Sequence, residues 1–324
     1  WGLILEMKIK NENDLIEYLI NNIQTESKDI TRTIGDDCAV LKISSKKSLV
    51  FTTDTSLEGP HFTKEYSPVD IGYKCLASNL SDIAAMGCRP RYFLMAITIP
   101  NLNSDWIKNF YKGIRELSKK HKLVLIGGDT NRGPLSISIQ VIGENKKNIL
   151  YRSGAKINDD IYVTGKIGLA RASLIFSQKK MLVESKKFLK NLRHPIPRID
   201  IGQEISEFAS SCIDISDGLA KDLNIILQQS KQGALIEFDQ IPSAPAIINK
   251  LDHKDLYEAV LGGGEDYELC FTANKRFRKK INYISDKFKT KITKIGMICG
   301  KKLIYTRNGR IIRPKIKGFD HFNN

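Results

Sequence analysis

The spacing of apolar residues along the chain predicts a mixture of helices and strands. Side chains from 135 to 141 alternate between apolar and polar, which is typical of an antiparallel strand with one buried face. Ser67 and Asp70 stand around Pro68 as in a capping box, so a helix should begin at Pro68 and end before Gly87. Apolar residues at helical spacing predict helices over residues 12–23, 68–86, 104–120 and 219–230. These elements together favour a mixed α/β (α+β) fold class.

Several predicted strands lead directly into segments that carry aspartate. Strands are expected over residues 39–43, 49–53, 92–99, 123–126, 160–164 and 211–215, and Asp54, Asp129 and Asp214 stand at the ends of three of them. Mg²⁺ takes oxygen ligands and keeps waters for substrate phosphates, so carboxylates at strand ends suit a nucleotide phosphate site. One Gly-Asp segment alone is usually only a turn. Because such segments recur, with Asp37 and Asp82 as further members, the sequence predicts an oxygen-rich metal site.

The length of 324 residues predicts two domains, because it exceeds what one ordinary hydrophobic core organises. We expect a first domain over residues 7–145 and a second over residues 146–324, divided in the polar link at 144–148. Residues 1–6 precede Met7 and are interpreted as an extension without function. The six cysteines form no C-x-x-C pair, which favours buried reduced thiols over zinc or disulfides. Since neither a long apolar run nor a leader is recognisable, we expect a cytoplasmic protein without a membrane span.

The formal net charge of +15 raises the question of nucleic-acid binding. All of this net charge falls between Lys275 and Lys317, where Asp286 is the only acidic residue, and the rest of the chain is neutral overall. That segment lacks aromatic residues at a recognition spacing and any helix-turn-helix or zinc-finger pattern, which disfavours a nucleic-acid-binding protein. A solvated basic face is the simpler interpretation.

Eight motifs, in order along the chain, carry a resemblance to a known enzyme family. They are GDD from Gly35, TTDT from Thr52, NLSD from Asn79, GGDT from Gly127, YRSGA from Tyr151, DISDGL from Asp214, GGEDYEL from Gly263 and GFDHF from Gly318. Their order resembles that of the thiamine-monophosphate kinase family, which belongs to the superfamily of aminoimidazole ribonucleotide synthetase. The resemblance extends over nearly the whole chain, from residue 14 to residue 322.

The resemblance implies a fold, a reaction and an assembly. The first domain would contain a mixed sheet with flanking helices, and the second would be an α/β sandwich. Similar proteins are homodimers in which the first domains pair their sheets into a barrel, with the active site in the cleft between the first and second domains. The implied reaction is the ATP-dependent phosphorylation of thiamine phosphate to thiamine diphosphate, by direct in-line transfer assisted by several Mg²⁺ ions.

The functional residues of the family fall on positions of this sequence that match its motifs. The implied metal ligands are Asp37, Thr52, Thr53, Asp54, Asp82, Asp129, Asp214 and Asp217. Nucleotide contacts are implied at Tyr111, Gly128, Asp129, Arg152 and Ser216, and substrate contacts at His61, Glu265 and Phe319. No general base is assigned, because the accepting phosphate oxygen is already ionised near neutral pH and the reaction needs charge neutralisation and positioning.

The chemistry of thiamine suggests what the substrate contacts would do. Its thiazolium ring is a delocalised cation, so Phe319 would stack on the ring and Glu265 would lie near its charge. Because the residue before Lys317 is an isoleucine, the aromatic contact rests on Phe319 alone. His61 is assigned to binding and orientation rather than to proton transfer.

Other members of the superfamily are the alternatives. A selenophosphate synthetase would need a reactive cysteine in an N-terminal glycine-rich segment, but the first cysteine here is Cys38. The hydrogenase-maturation dehydratase would need a cysteine at its C-terminal end, and the last three residues here are Phe322, Asn323 and Asn324. An enzyme similar to aminoimidazole ribonucleotide synthetase stays an alternative. A kinase predicts dependence on ATP and Mg²⁺, whereas a nucleic-acid-binding protein predicts salt-sensitive retention on DNA or RNA.

Overall fold

The computed structural model describes residues 14, 28–32, 35–44 and 47–316. Two sheets, each with both parallel and antiparallel pairs, and helices beside them make up this part of the chain, which confirms the predicted mixed α/β class. The predicted helix over 12–23, apart from residue 14, and the C-terminal motif with Phe319 lie outside the described residues. The division into domains at residues 145 and 146 stays a prediction.

Six strands form the first sheet: β1 (Ile30–Arg32), β2 (Ala39–Lys42), β3 (Ser48–Leu57), β4 (Arg89–Ile99), β5 (Val124–Arg132) and β6 (Ser136–Glu144). Their order is β1-β2-β3-β6-β4-β5, and only β4 and β5 run parallel. Helix α1 (Pro68–Ala85) follows β3, and helix α2 (Ser104–His121) forms the crossover that two parallel strands require. The predicted alternating strand is β6, in which Ile137, Ile139 and Val141 are buried.

Helix α1 begins and ends where its sequence signals predict. The hydroxyl of Ser67 accepts the backbone N–H of Asp70, and the Asp70 carboxylate accepts the backbone N–H of Ser67, which confirms the capping box. Gly87 follows the helix with a φ of 66°, a conformation that favours glycine. The helix crosses α2 closely, because a Cβ at Gly72 would lie only 2.2 Å from the backbone oxygen of Phe110. This crossing, the first sheet and elements of the second half together bury α1 along almost its whole length.

Strand β3 is longer than its sequence pattern indicated. It pairs with β6 as far as Leu57, which lies opposite Ser136. Residues 52–54 therefore lie inside the strand, and the prediction that the strand ends at residue 53, with Asp54 just beyond it, is wrong. Strand β2 pairs with β3 only as far as Phe51. Among the described residues, the second half of β3 therefore has no strand partner on this side, and both its side chains and its backbone groups are available there.

The paired glycines lie inside β5 rather than after it. Strand β5 pairs with β4 up to Arg132, so the prediction of a strand ending at residue 126 is wrong. A Cβ at Gly128 would lie 1.9 Å from the backbone oxygen of Met95, whereas a Cβ at Gly127 would meet only the Leu94 side chain, at 3.2 Å. Gly128 is therefore required by the packing of its own sheet, whether or not it also approaches a nucleotide.

Seven strands form the second sheet: β7 (Asp159–Thr164), β8 (Ser211–Asp214), β9 (Ala234–Glu237), β10 (Leu269–Asn274), β11 (Ile292–Ile298), β12 (Leu303–Arg307) and β13 (Arg310–Ile312). Their order is β13-β12-β9-β11-β7-β10-β8, with only β12 and β9 parallel. The helices here are α3 (Leu169–Gln178), α4 (Leu182–Arg193), α5 (Ile199–Ile205), α6 (Leu219–Ser230), α7 (Pro245–Lys250), α8 (His253–Tyr257) and α9 (Arg278–Lys287). Helix α6 has the predicted bounds, and a π-helical turn, Glu258–Gly262, precedes the glycine-rich segment.

The two halves share a hydrophobic core. Leu80 of α1 and Phe93 of β4 belong to the same buried cluster as Tyr162 and Phe271 of the second sheet. Five cysteines are buried free thiols, as predicted, and Cys299 is partly exposed. Among the helices of the described residues, none combines the length and apolar character that a membrane span needs. The cytoplasmic location stays a prediction.

The basic C-terminal segment is partly neutralised by the fold. Lys287 contacts Glu204 at 2.8 Å, and Arg278 contacts Asp160 at 2.6 Å through its Nε. Both acidic partners come from earlier parts of the chain. The charge concentrated in the sequence is thus distributed over ion pairs at the surface, which supports a structural explanation for part of it.

The glycine pair offers a matched test of the sheet geometry. Gly128→Ala should lower the free energy of unfolding by about 2 kcal/mol or more, because the new methyl group meets rigid backbone. Gly127→Ala should change it by less than about 1 kcal/mol, because only a movable leucine side chain is in the way. Urea unfolding of both variants measures the difference, and equal effects would contradict the described packing of β4 against β5.

Candidate active site

Three carboxylates from distant parts of the chain meet at one point. Asp37 precedes β2, Asp82 lies in the last turns of α1, and Asp214 ends β8. Each offers an oxygen that lies within 4.8 Å of the oxygens offered by the other two. Asp37 and Asp214 are buried. The helix, the turn before β2 and the second sheet must all pack correctly to form this cluster.

The cluster has the properties of a cation site. Oδ2 of Asp37 and Oδ2 of Asp214 are buried and have no hydrogen-bond partner among the described residues. Burial raises the pKa of Asp82 well above its usual value, and the charges of Asp54 and Asp214 raise it further. Burial and the charge of Asp37 likewise raise the pKa of Asp214 well above its usual value. Because a bound divalent cation would remove this repulsion and use the unpartnered oxygens, the donor set fits a hard metal ion.

Strand β3 brings further oxygens to the cluster. Thr52 Oγ1 donates a hydrogen bond to Oδ2 of Asp82, which fixes that carboxylate. Burial raises the pKa of Asp54, a hydrogen bond from Ser78 lowers it, and the nearby Asp217 raises it again. The predicted metal ligands of β3, α1 and the segment after β8 therefore influence each other directly.

Arg152 joins the cluster to the second half of the molecule. Its guanidinium contacts Oδ1 of Asp37 at 2.9 Å, and its backbone N–H donates to Oδ1 of Asp36 at 2.7 Å. This cation offsets part of the negative charge and holds the turn at residues 35–38 in place.

A cleft of about 430 Å³ opens beside the cluster. It is bounded by the open edge of β3, by α1, and by the segments after β8 and before β10. The predicted site residues that line it are Thr53, Asp54, His61, Asp82, Asp214, Ser216, Asp217 and Glu265. Predictions made from separate motifs thus converge on one cavity between the two sheets.

Six predicted nucleotide or metal residues are not among those that line this cleft. Three of them belong to the carboxylate cluster beside it, namely Asp37, Thr52 and Arg152. The other three lie on α2 and β5. Tyr111 lies on α2, edge-on to Phe110, and Gly128 and Asp129 lie in β5. Gly128 lies in the same cross-strand row as Asp54, through Ile139 of β6 and Met95 of β4. It is three strands away from Asp54, or about 14 Å at ordinary strand spacing. Asp129 lies in the next row, so its side chain points to the opposite face of the sheet from that of Asp54.

The family comparison agrees with the motifs. Residues 35–145 match the family described as AIR synthase related protein, N-terminal domain. The thiamine-monophosphate kinase of Buchnera aphidicola subsp. Schizaphis graminum is 42% identical over 319 residues, which are 96% of this chain and 99% of the relative. The chain belongs to the thiamine-monophosphate kinase family.

Solved structures of this family have the same fold. The thiamine-monophosphate kinase from Stenotrophomonas maltophilia K279a is 36% identical with a TM-score of 0.78, over 92% of this chain and 96% of that one. AaThiL complexed with AMPPCP and TMP is 29% identical with a TM-score of 0.81, over 98% of this chain and 100% of that one. The predicted family is therefore confirmed along the chain and not only in its motifs.

The sequence motifs did not identify two aspartates that hold the backbone near the site in place. Asp222, in the first turn of α6, accepts the backbone N–H groups of Asp217 and Gly218 at 3.1 and 3.0 Å. Asp266 accepts the N–H of Gly168 at 2.6 Å and so caps α3. An acidic residue in the first turn of a helix was a usable signal for Asp222. Nothing in the sequence indicates this role for Asp266, because its partner is about a hundred residues away.

Asp266 should make stability depend on pH. Burial raises the pKa of the Asp266 carboxyl to about 7, whereas in the unfolded chain it is near 3.9. Between these values the folded protein retains a proton that the unfolded chain releases, so this contribution to stability is present at pH 4 and is lost as the pH rises through 7. In Asp266→Asn that loss should be absent.

Urea unfolding in EDTA at pH 4.5 and pH 8 tests this expectation. The other carboxyl groups with raised pKa values are the same in both proteins. The difference in unfolding free energy between wild type and Asp266→Asn therefore reports the contribution of Asp266 alone. We expect the wild type to lose stability relative to the variant as the pH rises, by a few kcal/mol at most. A difference that is constant with pH would contradict the buried, proton-retaining carboxyl.

Proposed function

We propose that this protein transfers the γ-phosphoryl group of ATP to the phosphate of thiamine phosphate, giving thiamine diphosphate and ADP. The observation that carries the proposal is the cluster of Asp37, Asp82 and Asp214 at a cleft between the two sheets. Family membership supports it, as does the fold shared with AaThiL, a relative solved with AMPPCP and TMP. Both molecules that would enter the cleft are phosphate anions, and the cleft holds the metal-binding chemistry that such anions need.

Magnesium ions would be held by the carboxylates of the cluster together with the neighbouring oxygens of β3 and the segment after β8. When bound, Mg²⁺ supplies charge neutralisation between two phosphate groups that would otherwise repel. The proposed ligands in the cleft and at the cluster are Asp37, Thr52, Thr53, Asp54, Asp82, Asp214 and Asp217. The unpartnered oxygens of Asp37 and Asp214 support this role. The raised pKa values of Asp54, Asp82 and Asp214 support it as well.

The chain itself binds and orients the reacting groups. Nδ1 of His61 accepts the backbone N–H of Leu57 at 3.1 Å, so this nitrogen is engaged and the ring is fixed in orientation. That geometry suits a binding role better than proton transfer, which an ionised phosphate acceptor does not need. We assign Arg152 and Ser216 to the nucleotide phosphates, since Arg152 already lies against Asp37.

The remaining assignments concern the thiazolium end of the substrate and three residues that do not line the cleft. Glu265 lines the cleft and would face the thiazolium cation, and its proposed partner in that task is Phe319. We assign Tyr111, Gly128 and Asp129 to ATP and its metal. Of these, Asp129 points to the face of the sheet opposite Asp54.

The direct test is incubation of the protein with ATP, Mg²⁺ and thiamine phosphate, followed by chromatography for thiamine diphosphate. Formation of the diphosphate with equal release of ADP is expected, and EDTA should abolish it. Thiamine in place of thiamine phosphate serves as the control acceptor. If ATP is consumed without any diphosphate appearing, the proposed function is wrong.

Asp214→Asn should separate activity from stability. We expect kcat to fall at least about 100-fold, because one ligand of the charge-neutralising cluster is removed. In EDTA at pH 7.5 the variant should be more stable than wild type by about 1–2 kcal/mol, since it no longer buries a repelled carboxylate. Urea unfolding and the chromatographic assay measure the two effects. Asp159→Asn changes a buried aspartate elsewhere and should leave kcat unchanged, so a loss there would undermine the assignment.

We further propose that the protein is a homodimer that pairs through β5. All nine residues of this edge strand are exposed, and Val124, Leu125 and Ile126 have 52%, 45% and 52% of their residue surface exposed. Its outer edge has no strand partner among the described residues, and an apolar open edge invites pairing with another chain. A second protomer there would cover these side chains and form the barrel that the family resemblance implies.

Ile126→Lys should therefore dissociate the dimer, because it places a charge in the proposed interface. The molar mass measured by light scattering during size exclusion should fall to that of one chain. Val183→Lys, on the exposed surface of α4, is the matched control and should leave the mass unchanged. A wild type of monomer mass, or an Ile126→Lys protein that stays dimeric, would contradict pairing through β5.

A further inference from the structure

A buried lysine lies between the two residues assigned to the substrate. Lys74 of α1 is only 5% exposed. Its Nζ donates to the backbone oxygen of His61 at 2.8 Å and contacts Oε1 of Glu265 at 2.6 Å. The same Nζ lies 5.4 Å from the centre of the Tyr66 ring. Lys74 therefore joins a loop of the first half of the molecule to a loop of the second.

The environment keeps this lysine charged. Burial alone would lower the pKa of Lys74, but Glu265 and Tyr66 outweigh burial and hold that pKa above its ordinary value. A buried ammonium without partners would be strongly unfavourable, so its two oxygen partners are needed for its place in the fold. The ion pair also compensates the negative charge that Glu265 brings to the cleft.

The loop that carries Glu265 is under backbone constraint. Glu265 and Tyr267 have φ values of 69° and 49°, in the left-handed region that residues with side chains rarely adopt. The N–H of Glu265 donates to the oxygen of Ser216 at 2.8 Å, and the N–H of Tyr267 donates to that of Ile215 at 2.9 Å. Such a conformation persists only where its surroundings fix it, and Lys74 supplies the contact from the other half of the molecule.

We propose that Lys74 is a positioning residue that sets the distance between His61 and Glu265 and so shapes the thiamine phosphate end of the cleft. The inference rests on the proposed function. Lys74 does not line the cleft and contacts neither the carboxylate cluster nor Arg152. Its influence should therefore fall on the affinity for thiamine phosphate and leave the nucleotide end unaffected.

Lys74→Met tests this directly. The KM for thiamine phosphate should rise about tenfold, the effect of losing one positioning interaction, while the KM for ATP changes less than about twofold. Isothermal titration with thiamine phosphate should show the same loss of affinity without turnover. A rise in both KM values, or in neither, would overturn the inference.

Two further variants separate positioning from stability. Arg193→Met removes a different contact between α1 and the second half, the 3.2 Å ion pair with Asp70, and also a cation over the Tyr66 ring. It should leave the KM for thiamine phosphate unchanged. If Arg193→Met raises this KM as much as Lys74→Met does, the effect of Lys74→Met reflects general packing of the two halves and not a positioning role. If Lys74→Met does not fold, Lys74→Arg keeps the charge with a different shape and should raise that KM about threefold. An unchanged KM in Lys74→Arg would then reject the inference.

A double variant tests the route of the effect. If Lys74 acts through Glu265, then Lys74→Met combined with Glu265→Gln should raise the KM for thiamine phosphate no further than the larger single effect. If the double variant instead shows the product of the two single fold-increases in this KM, Lys74 acts independently of Glu265 and the proposed route is wrong. These results are distinct from failure of the proposed function, in which the wild type itself forms no thiamine diphosphate.

Discussion

The mutual repulsion of buried carboxylates is the constraint on which this structure depends. Asp37, Asp82 and Asp214 each bring an oxygen within 4.8 Å of the others, and Oδ2 of Asp37 and Oδ2 of Asp214 have no partner among the described residues. Such an arrangement is unfavourable for the isolated chain and becomes favourable when a cation is shared among the acids. The fold therefore holds a site that is destabilising by itself. The proposed function explains this arrangement, because two phosphate groups would approach each other at this site.

Two cations fixed across the halves of the molecule make this arrangement possible. Arg152 contacts Asp37 at the cluster, and Lys74 contacts Glu265 at the other end of the cleft. Both contacts join residues far apart in sequence, and both are shielded from water, so they constrain geometry more strongly than surface ion pairs would. The cleft is thus a consequence of how the halves dock.

The first sheet contributes in two ways that its strand order explains. Because β2 ends opposite Phe51, the remainder of β3 has no second strand partner in the part of the chain that the structure describes, and it faces the cleft. At the other end of the sheet, β5 exposes apolar residues on an edge that no other described strand pairs with. Asp129 lies on that strand, away from Asp54, so its proposed role is connected with the proposed dimer rather than with the cleft of one protomer.

The sequence by itself determined the local elements and the chemistry. The capping box at Ser67, the alternation in β6 and the bounds of α6 are short-range patterns, and the ordered aspartate motifs identified the family. Only the tertiary structure decided that β3 and β5 continue through their polar segments, because strand length depends on the pairing partner. It also decided which acids meet, and it alone revealed Lys74 and Asp266, whose partners are distant in the chain. Contacts of that kind leave no periodicity or motif from which a single sequence could predict them.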